Sequence, residues 1–292
     1  MRRGGGAAPA APPLPAAVGA FDAAAEAFDR RFGEWASVAA QRRAVRRLLL
    51  AAFPPGTSLL ELCGGTGEDA LFLAAHGRRV LLTDGAPRMV AEAAAKAERA
   101  GQSGRIETRT LLLEDLEDFA REWRAAGAAP FDGAYSNFAA LNCVPDLAPV
   151  ARGLAALLPS GAPAVLVLFG PLPPGEVLVQ LARRDARAAF RRLRRGPAPA
   201  RLGGHGFQVW YPRPRAVTRA FAPWFRLRRR RGIGIFVPPS AAEPWISRHP
   251  GLLAVLEALD RVAAAPLARM GDHIAFWFER TTAPVQNRPS LP

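Results

Sequence analysis

The sequence predicts an α/β protein with a seven-stranded, mostly parallel sheet, helices on both of its faces, an N-terminal helical element and an insertion after strand five. Short apolar runs alternate with helical stretches from residue 58 to residue 169, which is typical of a parallel sheet covered on both faces. The alternation stops after Gly170 and resumes near residue 225. With 292 residues, 50% of them hydrophobic, the chain is large enough for one domain with an insertion.

The first half of the chain is predicted to build the N-terminal helical element and five strands. Apolar residues recur at three- and four-residue spacings between Phe21 and Phe53, which indicates helix, and Pro54 and Gly56 end it. The predicted strands that follow are 58–63, 79–83, 105–112, 131–137 and 162–169, separated by predicted helices at 69–76, 86–100, 116–126 and 147–158.

The second half is predicted to contain the insertion and to complete the sheet. An arginine-rich helix is expected at about 176–195, followed by an aromatic segment at 207–211. We then expect a strand, one or two helices and a last strand at 225–237, 241–264 and 272–280. The resulting division is a disordered leader (1–18), N-terminal helices with a ligand-binding core (19–170), an insertion (171–224), a segment that completes the core (225–280) and a flexible tail (281–292).

The net charge of +14 is concentrated in the second half of the chain. Residues 1–150 hold 17 basic and 18 acidic side chains, whereas residues 151–292 hold 22 and 7. The segment 183–231 alone has sixteen arginines and a single acid, Asp185. Such a field attracts nucleic acid, anionic lipid or an acidic small substrate.

Several classes of protein are excluded by composition. Two cysteines without a CxxC pair or a Cys/His cluster make neither a disulfide framework nor a zinc site, so no metal is predicted. The most apolar run, 162–182, is interrupted by three prolines and a glutamate after residue 170, so no membrane span is predicted. Residues 1–18 lack an unbroken apolar stretch. We therefore expect a cytoplasmic protein without a membrane partner.

The densest signal is the glycine-rich turn LLELCGGTGED at 59–69, where a strand containing Glu61 leads into a helix. Ligands of open α/β sheets bind at this edge. Glycine lets the backbone approach a ligand closely, and the start of a helix offers free amide donors. Asp84 ends the next predicted strand, 17 residues after Gly67, where an acid accepts hydrogen bonds from both ribose hydroxyls of a nucleoside.

Three interpretations of this turn compete. It could be a strand-to-helix connection without a ligand, and Gly65-x-Gly67-x-x-Ala70 also fits the loose dinucleotide-binding pattern. A pyrophosphate, however, would face the carboxylate of Glu61. S-adenosyl-L-methionine carries no phosphate, and its sulfonium and amino groups are cations that a carboxylate attracts. The third interpretation, S-adenosyl-L-methionine as the cofactor, is favoured.

Residues 61–67, ELCGGTG, resemble the first motif of the class I S-adenosylmethionine-dependent methyltransferases, an acid followed by a GxGxG turn. Cys63 stands where that motif usually has its first glycine. The resemblance extends over about 21–169 and implies a Rossmann-like fold. It also implies that Glu61 and the backbone at 63–65 hold the methionine portion and that Asp84 holds the ribose. The full implied cofactor site is Glu61, Cys63, Gly64, Gly65, Gly67, Asp84, Gly85, Met89, Glu114, Asp115, Leu116, Ser136 and Asn137, with Asp115 favoured over Glu114 beside the adenine amino group.

The acceptor side is predicted less completely. By resemblance, residues 136–138 line the position of the reactive methyl group, and Phe138 is predicted to contact the substrate together with Trp210 and Tyr211 of the insertion. Methyl transfer needs a general base only if the acceptor must lose a proton. His205 and His273 are the candidates for that role, and the catalytic residues are otherwise unknown.

The predicted function is methyl transfer from S-adenosyl-L-methionine to an O, N or C atom of a small-molecule acceptor, with the insertion over the acceptor pocket. One alternative is an RNA or protein methyltransferase that uses the basic region 183–231. A nucleic-acid partner is therefore possible but less favoured, and no oligomeric state is predicted. Another alternative is a non-catalytic interaction protein with a degenerate cofactor fold.

Overall fold

The computed structural model describes residues 14–33, 35–194 and 196–282. Within these ranges, the chain forms nine strands and ten α-helices. The strands are β1 (Ser58–Leu62), β2 (Arg79–Asp84), β3 (Ile106–Thr110), β4 (Gly133–Ser136), β5 (Pro163–Phe169), β6 (Ala198–Leu202), β7 (His205–Val209), β8 (Phe225–Ile233) and β9 (His273–Arg280). The helices are α1 (Ala16–Phe32), α2 (Ala36–Ala52), α3 (Glu68–Ala75), α4 (Pro87–Arg99), α5 (Leu116–Ala125), α6 (Ala148–Leu157), α7 (Pro174–Ala182), α8 (Ala186–Ala189), α9 (Pro214–Phe221) and α10 (Pro250–Ala263).

Seven of these strands form one sheet in the order β3-β2-β1-β4-β5-β9-β8. Strands β1 to β5 are parallel, and β9 is antiparallel to both of its neighbours. This confirms the predicted mostly parallel α/β sheet. Because β1 and β4 are adjacent and parallel, the loops that follow them lie at the same edge of the sheet.

The two faces of the sheet bury separate apolar clusters. Leu60 and Leu62 of β1 pack with residues of α5 and α6, whereas Leu59 packs with residues of α2, α3 and α4. Side chains alternate between faces along a strand, so Glu61 lies on the same face as Leu59. A carboxylate therefore occupies a position that the apolar pattern of β1 otherwise reserves for the core.

The predicted continuous helix over 176–195 is wrong. The chain instead forms α7 and the short α8, followed by a 3-10 turn at Arg191–Leu193. Arg184 lies in the left-handed region with φ of 60°, which ends α7, and the Asp185 side chain accepts a 2.8 Å hydrogen bond from the amide of Ala188 to begin α8.

Most other boundaries differ by a few residues, but of the segment 241–264, expected to form one or two helices, only α10 is α-helical. The leading helical element is two helices, α1 and α2, and the strand expected at 225–237 ends at Ile233, before Gly234 with φ of 66°. Of the predicted leader, residues 1–13 lie outside the described residues, and α1 begins at Ala16. Residues 283–292 of the predicted tail also lie outside them. Across the described chain, we find no helix with the length and apolar character needed to cross a membrane.

Arg192 fastens the insertion to the core. Its guanidinium is buried between the carboxylates of Glu176 in α7 and Asp272 just before β9, with 2.7 Å to the latter. It also donates to the carbonyl oxygens of Gly170 and Asp272 at 3.2 and 2.7 Å. The start and the middle of the insertion are thus held against the last strand of the sheet.

Candidate active site

The turn between β1 and α3 has a backbone that few residue types adopt without strain. Cys63, Gly65 and Gly67 lie in the left-handed region with φ of 54°, 56° and 82°. Gly64 has no room for a side chain, because a Cβ would lie 2.5 Å from Cγ of Leu82 and 2.8 Å from Cδ of Glu61. The amide of Gly64 donates to the Thr83 carbonyl at 3.0 Å, which ties the turn to the end of β2.

Two single substitutions should have opposite effects on this turn. We expect Cys63→Gly to preserve cofactor affinity and to raise the free energy of unfolding by about 1 kcal/mol, because a non-glycine residue in the left-handed region costs about 1–3 kcal/mol. Gly64→Ala should displace Glu61 or Leu82 and weaken cofactor binding at least tenfold. Calorimetry and urea unfolding of both variants measure these effects, and unchanged binding by Gly64→Ala would contradict the crowding around Gly64.

Glu61 is a buried carboxylate that faces the adjoining cavity. Its side chain is 2% exposed, and its Oε2 atom has no hydrogen-bond partner among the described residues. The strand register places it beside Tyr135. Burial raises the pKa of Glu61 well above its ordinary value and nearby Asp69 raises it further, while Tyr135 and Arg42 act in the opposite direction. A buried acid with an unsatisfied oxygen fits a cationic ligand group.

Asp84 connects the glycine turn to the loop after β2. Its Oδ2 atom accepts a hydrogen bond from the amide of Gly65, and its Oδ1 atom accepts one from the amide of Ala86, both at 2.9 Å. Burial raises the pKa of Asp84, and these two amide bonds partly offset the effect. The carboxylate is held in place and lines the cavity.

A cavity of about 610 Å³ lies over the glycine turn. Its roof consists of α1 and the β6–β7 hairpin, whose side chains Phe21 and Phe207 meet with ring centroids 5.7 Å apart. The hairpin belongs to the insertion, so two segments far apart in sequence cover the same space.

Polar contacts attach α1 to the cofactor side of the cavity. Asp29 accepts a 2.6 Å hydrogen bond from the Thr66 hydroxyl and forms an ion pair with Lys96, the single lysine of the chain. Asp22 accepts a 2.7 Å hydrogen bond from the amide of Arg88, at the start of α4. The side chains of Asp22 and Asp29 therefore fix α1 over the cavity, because they contact the glycine turn and α4.

An arginine missed by the sequence analysis lies next to Glu61. Arg42 of α2 lines the cavity, contacts Asp69 at 3.3 Å and lies 4.7 Å from the ring centroid of Phe138. Asn137 donates to the same Asp69 carboxylate at 2.7 Å. No local motif marks Arg42, because its role arises from packing of α2 against α3.

Asn142, also missed, organises the opposite side of the cavity. Its side-chain amide donates to the Trp210 carbonyl at 2.6 Å, and its Oδ1 atom accepts from the amide of Phe169 at 3.0 Å. Its own carbonyl accepts from the amide of Trp210 at 2.7 Å. This buried residue joins the loop after β4, the end of β5 and the insertion, and thereby positions Phe169 and Tyr211 at the cavity.

Many of the residues proposed from sequence meet at this one cavity. Those that line it are Glu61, Cys63, Gly64, Gly65, Asp84, Gly85, Met89, Glu114, Asn137, Phe138 and Tyr211. Gly67 instead precedes α3, while Leu116 and Ser136 are buried away from the cavity lining. Glu114, and not the favoured Asp115, reaches the cavity. Trp210 contributes its backbone to Asn142, and its side chain does not line the cavity.

Neither histidine proposed as a base lines the cavity. His205 is exposed at the start of β7. His273 is 6% exposed, with Nδ1 lying 3.0 Å from Oε1 of Gln41 and its ring stacked on Phe169 at 4.9 Å. Burial lowers the pKa of His273, opposed by Asp272. The imidazole is thus a buried polar group, held in place by Gln41 and Phe169.

The two cysteines line the cavity as thiols. Burial raises the pKa of Cys63 well above its ordinary value and that of Cys143 to about 11. At neutral pH neither is a thiolate, the form that acts as a nucleophile. Among the described residues, no group of three or more His, Cys, Asp or Glu side chains is arranged to hold a metal ion.

Comparisons with known proteins bear on this site. Residues 59–161 match the family model described as a methyltransferase domain. A comparison with curated protein sequences finds no significant match. Among solved structures, the chain is similar to an S-adenosylmethionine dependent methyltransferase from Mesorhizobium loti, with 20% identity and a TM-score of 0.53 over 82% of this chain and 98% of that one.

Two further structures show how widely this fold is used. Magnesium protoporphyrin IX methyltransferase from Synechocystis, solved with bound SAH, is 16% identical, with a TM-score of 0.50 over 82% of this chain and 83% of that one. The [4+2]-cyclase SpnF is 13% identical, with a TM-score of 0.50 over 82% and 81% of the two chains. Likeness at this level concerns the fold, and a fold does not fix the reaction.

The family match covers the part of the chain that carries the predicted cofactor site. It includes the glycine turn, Asp84, Glu114 and Asn137, all within residues 59–161. This sequence match and the seven-stranded sheet agree with the motif resemblance at 61–67. Residues 59–161 thus match a methyltransferase domain, and the chain has the fold of S-adenosylmethionine-dependent methyltransferases.

Proposed function

We propose that this methyltransferase acts on a small-molecule acceptor bound in the 610 Å³ cavity beneath α1 and the β6–β7 hairpin. The observation that carries the proposal is this roof. A cavity covered on one side by a helix and on another by a hairpin suits a compact acceptor better than a polymer strand, and sites for small molecules are typically concave and largely apolar.

The residues present fit S-adenosyl-L-methionine. Its amino acid portion carries both charges, and the cavity offers the Glu61 carboxylate, with one unpartnered oxygen, beside the Arg42 guanidinium. Asp84 presents a fixed carboxylate for the ribose hydroxyls. Met89 and Glu114 would lie on the adenine side. Each of these groups meets a cofactor part of matching polarity.

The bound cofactor supplies an electrophilic methyl carbon on a sulfonium centre. The protein has to align the acceptor atom with that carbon and exclude water. We assign alignment to the aromatic wall formed by Phe138, Phe169 and Tyr211, and exclusion of water to the roof of α1 and the hairpin. No histidine lines the cavity within the described chain, so the proposal includes no histidine base.

The arrangement of the arginines favours this proposal over a nucleic-acid acceptor. Arg192 is buried, and Arg226 and Arg228 of β8 pair with Glu279. Strand β8 lies at an edge of the sheet, where charged side chains discourage pairing with another strand. Part of the basic excess thus serves the fold. A salt titration of RNA binding tests the alternative, because phosphate contacts make affinity fall steeply with salt.

Calorimetry with S-adenosylmethionine and S-adenosylhomocysteine tests the cofactor site. We expect both to bind the wild-type protein, and Asp84→Ala to bind them at least tenfold more weakly, because hydrogen bonds to a charged group contribute about 1.5–3 kcal/mol. Asp115→Ala is the matched control, since Asp115 does not line the cavity, and it should bind as the wild type does. No binding by the wild type, or equal binding by Asp84→Ala, would refute the proposed site.

A further inference from the structure

Among the described residues, the wall that the insertion contributes to the cavity contains no carboxylate. Its lining residues are Arg191, Pro199, Ala200, Arg201, Phe207, Val209 and Tyr211. The insertion has two acids in all, and both are engaged elsewhere. Glu176 pairs with Arg191 and Arg192, and Asp185 caps α8. A ligand on this wall therefore meets apolar surface and positive charge.

Of the three arginines that line the cavity, Arg201 is the one whose side chain has no partner among the described residues. Arg42 contacts Asp69, and Arg191 contacts Glu176. The Arg201 side chain has neither a hydrogen bond nor an ion pair with any residue in the described ranges. The residue opposite it in the hairpin is Gly206, which has no side chain to cover it. Arg201 is thus free to bind an anionic group of a ligand.

The neighbouring surface is aromatic. The rings of Phe169 and Tyr211 have centroids 5.7 Å apart, and both side chains line the cavity together with Phe138 and Phe207. Arg192, which forms the buried ion pairs with Glu176 and Asp272, lies 4.6 Å from the ring centroid of Phe169 and holds that ring in place. Fixed aromatic rings favour a planar ligand through offset or edge-to-face packing.

We propose that the acceptor is an aromatic acid, a planar ring system with a carboxylate, and that Arg201 binds the carboxylate. The inference rests on the proposed small-molecule function and adds the chemical class of the substrate. A guanidinium binds a carboxylate through two parallel hydrogen bonds, which would orient the ring against the aromatic wall. A cationic acceptor is disfavoured at the wall that the insertion contributes, because the charged side chains that line it are those of Arg191 and Arg201.

Three probes of the same shape distinguish the contribution of charge to binding affinity from that of ring stacking. We choose 6-hydroxy-2-naphthoate, the corresponding neutral amide and the corresponding aminomethyl compound. Each is titrated by calorimetry or ligand-observed NMR into protein saturated with S-adenosylhomocysteine. The carboxylate should bind at least tenfold more tightly than the amide, and the amine should bind most weakly.

Variants test whether the preference for the carboxylate probe is due to the Arg201 side chain. Arg201→Gln should weaken carboxylate binding about tenfold and leave amide binding unchanged, while Arg201→Lys should retain most of the affinity. Arg215→Gln, an exposed arginine of the insertion outside the cavity, is the matched control and should have no effect.

The outcomes distinguish this inference from the proposed function. Equal binding of the three probes, no binding of the carboxylate, or an unchanged preference in Arg201→Gln overturns the aromatic-acid acceptor. Each of these is measured on protein whose S-adenosylhomocysteine binding has been established beforehand. Failure at that earlier step would instead overturn the cofactor site itself.

Discussion

Replacing Arg192 by methionine is expected to lower the free energy of unfolding by about 3–5 kcal/mol, the range for breaking a buried ion pair from one side. Arg192 is 6% exposed and lies between two buried carboxylates, those of Glu176 and Asp272. Methionine matches much of its volume but leaves both carboxylates without their cation. Urea unfolding followed by circular dichroism measures the loss.

Arg191→Met is the matched control for this effect. Arg191 is adjacent in sequence and pairs with the same Glu176, but its side chain is 38% exposed. Surface ion pairs contribute about 0–1 kcal/mol, so the control should change stability by no more than that. Equal losses in the two variants would show that burial of Arg192 does not have the importance assigned to it.

The effect of Arg192→Met should also depend on pH. Burial alone would raise the pKa of Asp272, yet Arg192 and His273 bring it below its ordinary value. A carboxyl whose folded-state pKa is depressed stabilises the fold above its unfolded pKa, and this contribution is lost as the pH falls toward the folded-state value. The difference between wild type and variant should therefore be largest at neutral pH and shrink below about pH 4. A difference that grows in acid would contradict this account.

Glu61→Gln is expected to weaken binding of S-adenosylmethionine about 100-fold and to stabilise the protein without ligand. The carboxylate is buried with an unpartnered oxygen, so it provides the charge that attracts the amino group of the cofactor. Loss of a close, desolvated charge partner corresponds to about 2–3 kcal/mol, or roughly two orders of magnitude in affinity. Calorimetry with the wild type and the variant measures the ratio.

The stabilisation by Glu61→Gln follows from the direction of the pKa shift. Burial raises the pKa of Glu61 above its ordinary value of 4.5. Below that value the group is protonated whether the chain is folded or unfolded, and its ionisation imposes no penalty on folding. As the pH rises from there toward the folded-state pKa, the penalty grows. The advantage of the glutamine variant in urea unfolding should therefore be larger at pH 8 than at pH 4.

Glu107→Gln is the control for the Glu61 variant. Glu107 lies on β3 with an exposed side chain outside the cavity, so this substitution should alter neither cofactor affinity nor stability by a measurable amount. Tight binding by Glu61→Gln, or its destabilisation at pH 8, would contradict the role given to the buried carboxylate. Residues at functional sites commonly favour ligand binding at the expense of the stability of the fold.

Local patterns were sufficient to predict that the proposed cofactor residues meet at one edge of the sheet. Glu61, the glycine turn and Asp84 lie within one β-turn-α-β unit, and adjacent parallel strands must bring their carboxyl ends to one edge. The mostly parallel sheet was also predicted correctly, because strand and helix periodicities differ clearly between residues 58 and 169. The assignment of individual residues to cofactor parts stays a prediction.

The acceptor half could not be predicted in the same way. Asn142 reaches Trp210 across 68 positions, and Arg192 reaches Asp272 across 80. His273, proposed from the sequence as a base, lies in the fold as a buried neighbour of Gln41, 232 positions away in the chain. Which side chain faces a cavity depends on packing between distant segments, and periodicity carries no information about it.

The arginine excess also shows this difference between what the sequence predicts and what depends on packing. From sequence it was one basic region, 183–231, whereas in the fold its members separate into a buried anchor at Arg192, cavity residues at Arg191 and Arg201, and the edge strand β8. The fold class and the edge of the sheet where the proposed cofactor residues meet could be predicted from the sequence, because both follow from short-range periodicity and the geometry of one turn. Which charges are buried, paired or open to a ligand could not be predicted in this way, because burial and pairing arise when segments distant in the chain meet.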